Sequence, residues 1–179
     1  MKKFLWSFFE IAETIVIAIA AVVLIRTYIA QPFVVYGSSM SPNFENSDYL
    51  LVNELTYKFR SPERGEVIVF KAPARSGTYF IKRIVGLPGE RVFIDNGKVT
   101  IYKNGQAQIL HESYLGAEVT SGHYEIVLGL NQYFVMGDNR GASFDSRSWG
   151  PLNDSAIIGI AMLRLWPLNK VEAFSVPNY

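Results

Sequence analysis

Cysteine is absent from the chain, which excludes disulfide bonds, a thiolate nucleophile and cysteine-built zinc or iron–sulfur centres. Histidine is scarce: His111 and His123 are the only two, and both fall in the least regular stretch of the sequence. No His-Glu-x-x-His pattern and no histidine pair at helical spacing occurs, so no metal site is expected and both histidines read as solvent-exposed side chains rather than triad members. A phosphate-binding loop is missing too, because Gly86-Leu87-Pro88-Gly89 has neither the Gly-x-Gly-x-x-Gly spacing nor a helix after it. An excess of charge of one sign is likewise lacking. The 17 Lys and Arg against 16 Asp and Glu leave a net charge of +1, far from the basic field on which non-specific nucleic-acid binding relies. What the 179 residues do have is apolar side chains, 49% against 18% charged, a balance opposite to that of a disordered chain and leaning toward a membrane.

The apolar residues are concentrated at the start. From Ile11 to Ile25 the only polar side chains are Glu13 and Thr14, and Phe4, Leu5, Trp6, Phe8 and Phe9 extend the run upstream. Trp6 to Arg26 is about 20 residues, which as a helix is about 30 Å, enough to span a hydrocarbon core. Trp6 and Tyr28 suit the two headgroup zones, and Lys2 and Lys3 place the N-terminus in the cytoplasm with everything past about Tyr28 outside. Two other readings of this segment are a cleaved secretory signal and a buried helix. Against the first, Ala18-Ile19-Ala20 lies inside the apolar run; against the second, little of the helix has a polar face.

Past residue 30 the helical period gives way to short β-branched or aromatic runs separated by turns, the pattern of an all-β domain. The runs are 33–36, 49–52, 67–70, 79–85, 91–94, 99–102, 124–128, 133–136 and 157–165. Asn96-Gly97 and Asn104-Gly105 predict type I′ hairpin turns, and Pro88-Gly89 predicts a type II turn. The expected organisation is an anchor over 1–29 and a β-rich catalytic domain over 30–179, with an inserted hairpin or loop near 104–131.

With thiols absent and histidines poorly placed, any nucleophile is a hydroxyl. Gly37-Ser38-Ser39-Met40-Ser41-Pro42 follows a strand and sets three hydroxyls beside a glycine and a proline, which suits either a turn or an active site. In Tyr79-Phe80-Ile81-Lys82-Arg83-Ile84-Val85, strand alternation puts Lys82 on the face of Phe80 and Ile84 and Arg83 on the opposite face. A desolvated lysine has its charged form disfavoured, so a neutral amine becomes available as a base for a serine hydroxyl without histidine. The competing fate of Lys82 is to snorkel to the surface or pair with a carboxylate. The third candidate is the polar loop Gly137 to Arg147, where Asp138, Arg140, Asp145 and Arg147 can pair among themselves or with Arg83, and Ser143 can hold the Lys82 amine.

In this order and behind an apolar N-terminus, these segments resemble the type I signal peptidases, membrane-bound Ser-Lys endopeptidases. Ser39-Met40 followed by Pro42 resembles the family's nucleophile box, and Lys82-Arg83 with Gly86-Leu87-Pro88-Gly89-Glu90 its lysine box. Gly137 to Arg140 with Ser143, Asp145, Ser146 and Arg147 resembles its Gly-Asp-Asn-Arg box, and Arg64-Gly65-Glu66-Val67 through Phe70 a structural box. The resemblance implies an all-β catalytic domain of mostly antiparallel strands behind one transmembrane helix, as in Gram-positive forms. It implies Ser39 as nucleophile, Lys82 as general base and then acid, Ser143 as the hydroxyl orienting the amine, and Asp145, Arg147, Asp138 and Arg83 as support. It also implies a substrate bound as an added strand between 33–36 and 78–82, among Val35, Met40, Phe44, Phe80 and Ile81, and cut after small residues in an Ala-x-Ala pattern. Gly37 stands where some members carry a second oxyanion donor, so that donor is backbone, Ser38 or water. Thr is common in the family after the proline, where this chain has Asn43.

The implied partners are preprotein signal peptides and membrane lipid, with no cofactor, no metal and no nucleic acid, in a single-pass plasma-membrane protein whose catalytic domain faces outward. Two alternatives are a regulatory or self-cleaving Ser-Lys protease and a catalytically silent anchored β protein that binds exported chains.

Overall fold

Runs of Val, Ile, Phe and Tyr suit a pleated, half-buried surface, and beyond residue 30 they form the strands of the protein. The computed structural model describes residues 6, 10–20, 22, 30–73, 77–116, 119–177 and 179. Residues 10–20 form a helix, α1, and Trp6 and Val22 are also helical. Among the described residues no helix is long and apolar enough to cross a membrane. The span expected from Trp6 to Arg26 includes residues 7–9, 21 and 23–26, which lie outside the described residues.

The strands are β1 (Ala30–Val34), β2 (Tyr49–Asn53), β3 (Val67–Lys71), β4 (Tyr79–Gly86), β5 (Arg91–Asp95), β6 (Lys98–Lys103), β7 (Gln106–Ile109), β8 (Tyr124–Val127), β9 (Gln132–Met136), β10 (Leu152–Asn153), β11 (Ile157–Trp166) and β12 (Glu172–Ala173). The larger sheet has the order β1-β2-β11-β3-β4-β9-β10, with β12 added to β11, and the smaller has the order β7-β6-β5-β8. Every pairing among these strands is antiparallel. Both Asn-Gly pairs turn hairpins, with φ of +48° and +80° at Asn96 and Gly97 and +51° and +78° at Asn104 and Gly105. A type I′ turn requires positive φ at both positions, which fixes the β5–β6 and β6–β7 registers. Two one-turn helices, α2 (Thr56–Phe59) and α3 (Ser146–Trp149), follow β2 and β9.

The two sheets pack through Val85, Phe134 and Met136 from the larger and Val92, Ile94, Val99 and Ile101 from the smaller. A second cluster, Val35, Met40, Phe44, Leu50, Val67 and Ala161, lies beneath the loop after β1. A third, including Ile68, Phe70, Ile84 and Val135, covers the opposite side of the larger sheet. Strand β4 is thus enclosed on both faces, which is why alternation there does not separate a wet side from a dry one: Lys82 and Arg83 point oppositely and both are buried.

Candidate active site

The segment after β1 is held as a rigid loop. Val35 exchanges main-chain hydrogen bonds with Asp48 and Ser47, each 2.9 Å, and Gly37, at a φ of +90°, redirects the chain while its N–H donates to Asn46 Oδ1 at 3.0 Å. Ser41 N–H donates to Ser38 O and Phe44 N–H to Met40 O, curling the chain back on itself. This curl drives Met40 and Phe44 into the core, 1% and 2% exposed. Both lie beneath the loop in one cluster with Val35 and Leu50, while Ser39 stays half-exposed.

Strand β4 brings Lys82 to that serine. Its Nζ lies 2.7 Å from Ser39 Oγ and donates to Ile81 O at 2.8 Å, with the Phe80 ring centroid 5.6 Å away. The side chain is 4% exposed. Burial disfavours the ammonium and pulls Lys82 down to about 8, although Asp145 and Asp138 act in the opposite direction. A hydroxyl within hydrogen-bond reach of a buried amine whose charged form is disfavoured is the arrangement that Ser-Lys chemistry requires.

The neighbouring Arg83 faces the other side of β4. Its Nε and Nη2 donate to Asp138 Oδ1 and Oδ2 at 2.8 and 2.6 Å, and its Nη1 to Gly65 O at 2.8 Å. Asp138 lies in the loop after β9, which meets the nucleophile: Asn139 N–H donates to Ser39 O at 3.1 Å. Within the loop, Asp145 accepts from Gly137 N–H at 3.0 Å and from Arg147 Nε and Nη2, each at 2.8 Å. Burial alone would raise the Asp145 carboxyl, but the Arg147 pair and the Gly137 N–H outweigh it and hold it below the usual carboxylate range. Asp145 also caps α3. Ser143 Oγ is buried beside Asp145 and helps to hold that carboxyl down, while the amine's two bonds go to Ser39 and Ile81.

A groove of about 370 Å³ opens beside Ser39 and Lys82. Val35, Gly37, Ser38, Phe80 and Ile81 line it, together with Leu50, Val69, Tyr36, Tyr79 and Phe144. Its sides are strand edges. Over Tyr79–Ile81, β4 pairs with β3 alone, since its pairing with β9 begins at Arg83. On the facing side Val35 turns its main-chain groups toward Ser47 and Asp48, so those of its two neighbours point away from that partner.

The two histidines stand apart from this site. His111 is exposed, and His123 packs edge-on against Phe93 of the smaller sheet, 3.2 Å from Asp95. Three polar residues to which the sequence assigned no role in the site do converge on it: Asn43, Glu112 and Tyr114. Asn43 Nδ2 donates to Asp138 Oδ2 and to Tyr114 O, both at 2.8 Å, and the Tyr114 ring stacks over Arg83 at 4.2 Å. Glu112 takes Arg140 in a two-point pair. The partners are 71, 95 and 28 positions apart in the chain, so no local spacing announces them.

Comparison with known proteins agrees with this geometry. Residues 8–166 match the model of the family described as signal peptidase, peptidase S26. A probable signal peptidase I-2 from Synechocystis sp. is 35% identical over 170 residues, covering 92% of this chain and 76% of that protein. Signal peptidase I P from Bacillus subtilis subsp. natto is 32% identical, covering 89% of this chain and 90% of that one. In three dimensions the chain is similar to the crystal structure of a signal peptidase I from Enterococcus faecalis V583, with a TM-score of 0.50 and 29% identity over 57% of this chain and 98% of the other. A mostly antiparallel β domain that presents a serine and a buried lysine beside an open strand edge thus belongs to the signal peptidase family, peptidase S26, and is a serine endopeptidase of type I.

Proposed function

We propose that the chain removes signal peptides from exported preproteins by a Ser39–Lys82 dyad, cutting after small residues in an Ala-x-Ala pattern. The observation that carries this reading is the buried Lys82 Nζ, 2.7 Å from Ser39 Oγ. In the neutral amine the Nζ lone pair accepts the Ser39 proton as Oγ attacks the scissile carbonyl. The Ser39 N–H serves the developing oxyanion, and the ammonium then gives its proton to the departing amine. Water, deprotonated by the same amine, hydrolyses the acyl-enzyme and restores Ser39. Asp145 with Arg147, and Asp138 with Arg83, hold the two loops in place, and Ser143 Oγ, buried in the loop over Ser39, orients the amine once the groove is filled.

The preprotein enters as a strand between the segments 33–36 and 78–82, where unpaired main-chain groups give affinity with little sequence preference and the shallow apolar base admits small side chains. The chain is held by its N-terminal segment in the plasma membrane, N-terminus inside and β domain outside. Helix α1 supports this: Ile11, Val16, Ile17 and Ile19 are all more than half exposed, which suits a lipid surrounding. Ser39 then lies about ten residues past the span, so enzyme and tethered substrate meet at the membrane surface.

Cleavage of a membrane-reconstituted preprotein bearing an Ala-x-Ala site, by the parent, Ser39→Ala and Lys82→Ala, tests the reading. One cut located by mass and lost in both variants is expected. Cleavage surviving in either removes the dyad, and a cut elsewhere removes the Ala-x-Ala assignment.

A further inference from the structure

The loop that follows β7 lies far from Ser39 in sequence, yet it grips three separate parts of the site. Glu112 accepts from Arg140 Nη1 and Nη2 at 3.0 and 2.6 Å, and both side chains are nearly dry, 7% and 1% exposed. The remaining donors of that guanidinium are also committed: Nη1 to Thr120 Oγ1, Nη2 to Tyr114 Oη at 3.3 Å, and Nε to Gly137 O at 3.1 Å. Gly137 is the residue against which Ser39 is packed, since a Cβ there would lie 2.3 Å from both Ser39 O and Ser143 Oγ. Tyr114 adds two further holds, its carbonyl accepting from Asn43 four residues beyond Ser39 and its ring covering Arg83 next to Lys82. Its hydroxyl donates to Glu112 Oε1 at 2.6 Å, tying the grip together.

A planar guanidinium bound at two points cannot pivot, so whatever fixes Arg140 fixes Gly137 O and, through it, the wall against Ser39. We propose that the Glu112–Tyr114 segment is a positioning element that sets Ser39 against Lys82, acting through Arg140 and Gly137 and through Asn43. None of these residues touches the groove, so the element acts on the chemical step and not on substrate affinity. The inference rests on the Ser39–Lys82 reading.

The test uses the full chain, with Glu112→Gln as the main variant, kcat and KM measured on the preprotein, and thermal unfolding recorded alongside. In folded Glu112→Gln, kcat is expected to fall about tenfold or more with KM within about twofold of the parent, because small displacements of a nucleophile are costly. Tyr114→Phe removes one hydroxyl and keeps the ring; it is expected to lose about threefold in kcat, and the double variant is expected to be no worse than Glu112→Gln, since both act through one guanidinium. A kcat of folded Glu112→Gln within about twofold of the parent, or fully additive losses, overturns the proposal. If Glu112→Gln does not fold, Tyr114→Phe decides: a kcat loss at constant KM supports the element, and an unchanged kcat overturns it. Ser39→Ala and Lys82→Ala run in parallel. Activity in either overturns the dyad and this inference with it, whereas their loss beside an unaffected Glu112→Gln overturns this inference alone.

Discussion

Asn139 N–H donates to the carbonyl oxygen of Ser39 at 3.1 Å, which joins the nucleophile loop to the loop after β9 at the serine itself. The same loop holds Asp138, which binds Arg83, so one polar segment touches Ser39 directly and the residue next to Lys82. The proposed catalytic geometry depends on three elements meeting, and each meeting point exposes a place where a small change has a defined consequence.

The first is Gly137. A Cβ there would sit 2.3 Å from a main-chain oxygen that cannot rotate away, so Gly137→Ala must push the nucleophile loop outward. A shift near 1 Å lowers kcat by about 100-fold. Cleavage kinetics should show this loss, with a folded protein by circular dichroism; a kcat within about threefold of the parent would mean the loop yields without moving Ser39.

Asp138 gives the second. Replacing it with Asn leaves Arg83 buried with half its partner and turns an amide donor toward the donors of Arg83 or of Asn43. Breaking one side of a buried pair costs about 3 kcal/mol, which for a chain of this size lowers Tm by roughly 10 °C. Differential scanning calorimetry of Asp138→Asn checks the value, and a shift of less than about 3 °C would show that the pair contributes little.

Stability against pH provides the third. Lys82 ordinarily titrates at 10.5 and falls to about 8 when buried, so between those values the unfolded chain carries a proton that the folded chain lacks. Folding stability therefore rises as pH goes from about 8 to 10.5 and is flat from this group outside that window. The span is about 3 kcal/mol, and Lys82→Met removes it. Urea midpoints at both ends of the window, for parent and variant, measure the difference; identical slopes would mean the amine is not desolvated.

Much of this architecture is legible in the amino-acid sequence. Each expected run corresponds to a strand within one to three residues, because Val, Ile, Phe and Tyr declare a pleated surface and Asn-Gly or Pro-Gly declares a reversal. What escapes has no local signal. Gln106–Ile109 is exposed throughout and is a strand only because the Asn104-Gly105 turn returns it onto β6. The two-residue strands β10 and β12 exist through their partners alone. At the site, Ser39 and Lys82 stand out by their settings, a turn after a strand and a cation among apolar residues. Asn43, Glu112 and Tyr114 do not, because their roles arise from contacts across the two sheets. The burial of Met40 and Phe44 follows from the main-chain curl between them, which no sequence pattern announces.

The last prediction separates burial from the aromatic contact as the cause of the lowered lysine. The Phe80 ring lies 5.6 Å from Lys82 Nζ and also walls the groove. Its π face favours the ammonium by about 0.5–1 kcal/mol, which is less than one pKa unit. Its bulk excludes water, and burial is the largest cause of the shift. Phe80→Ala therefore admits water and should move the acid limb of the kcat profile upward from about 8. Phe80→Leu keeps the wall dry and removes only the π face, so its limb should stay or move slightly down. If both variants move the limb down, the ring acts on the amine mainly through its electrons, and the dryness of the site must come from Ile81, Val35 and the loop over Ser39.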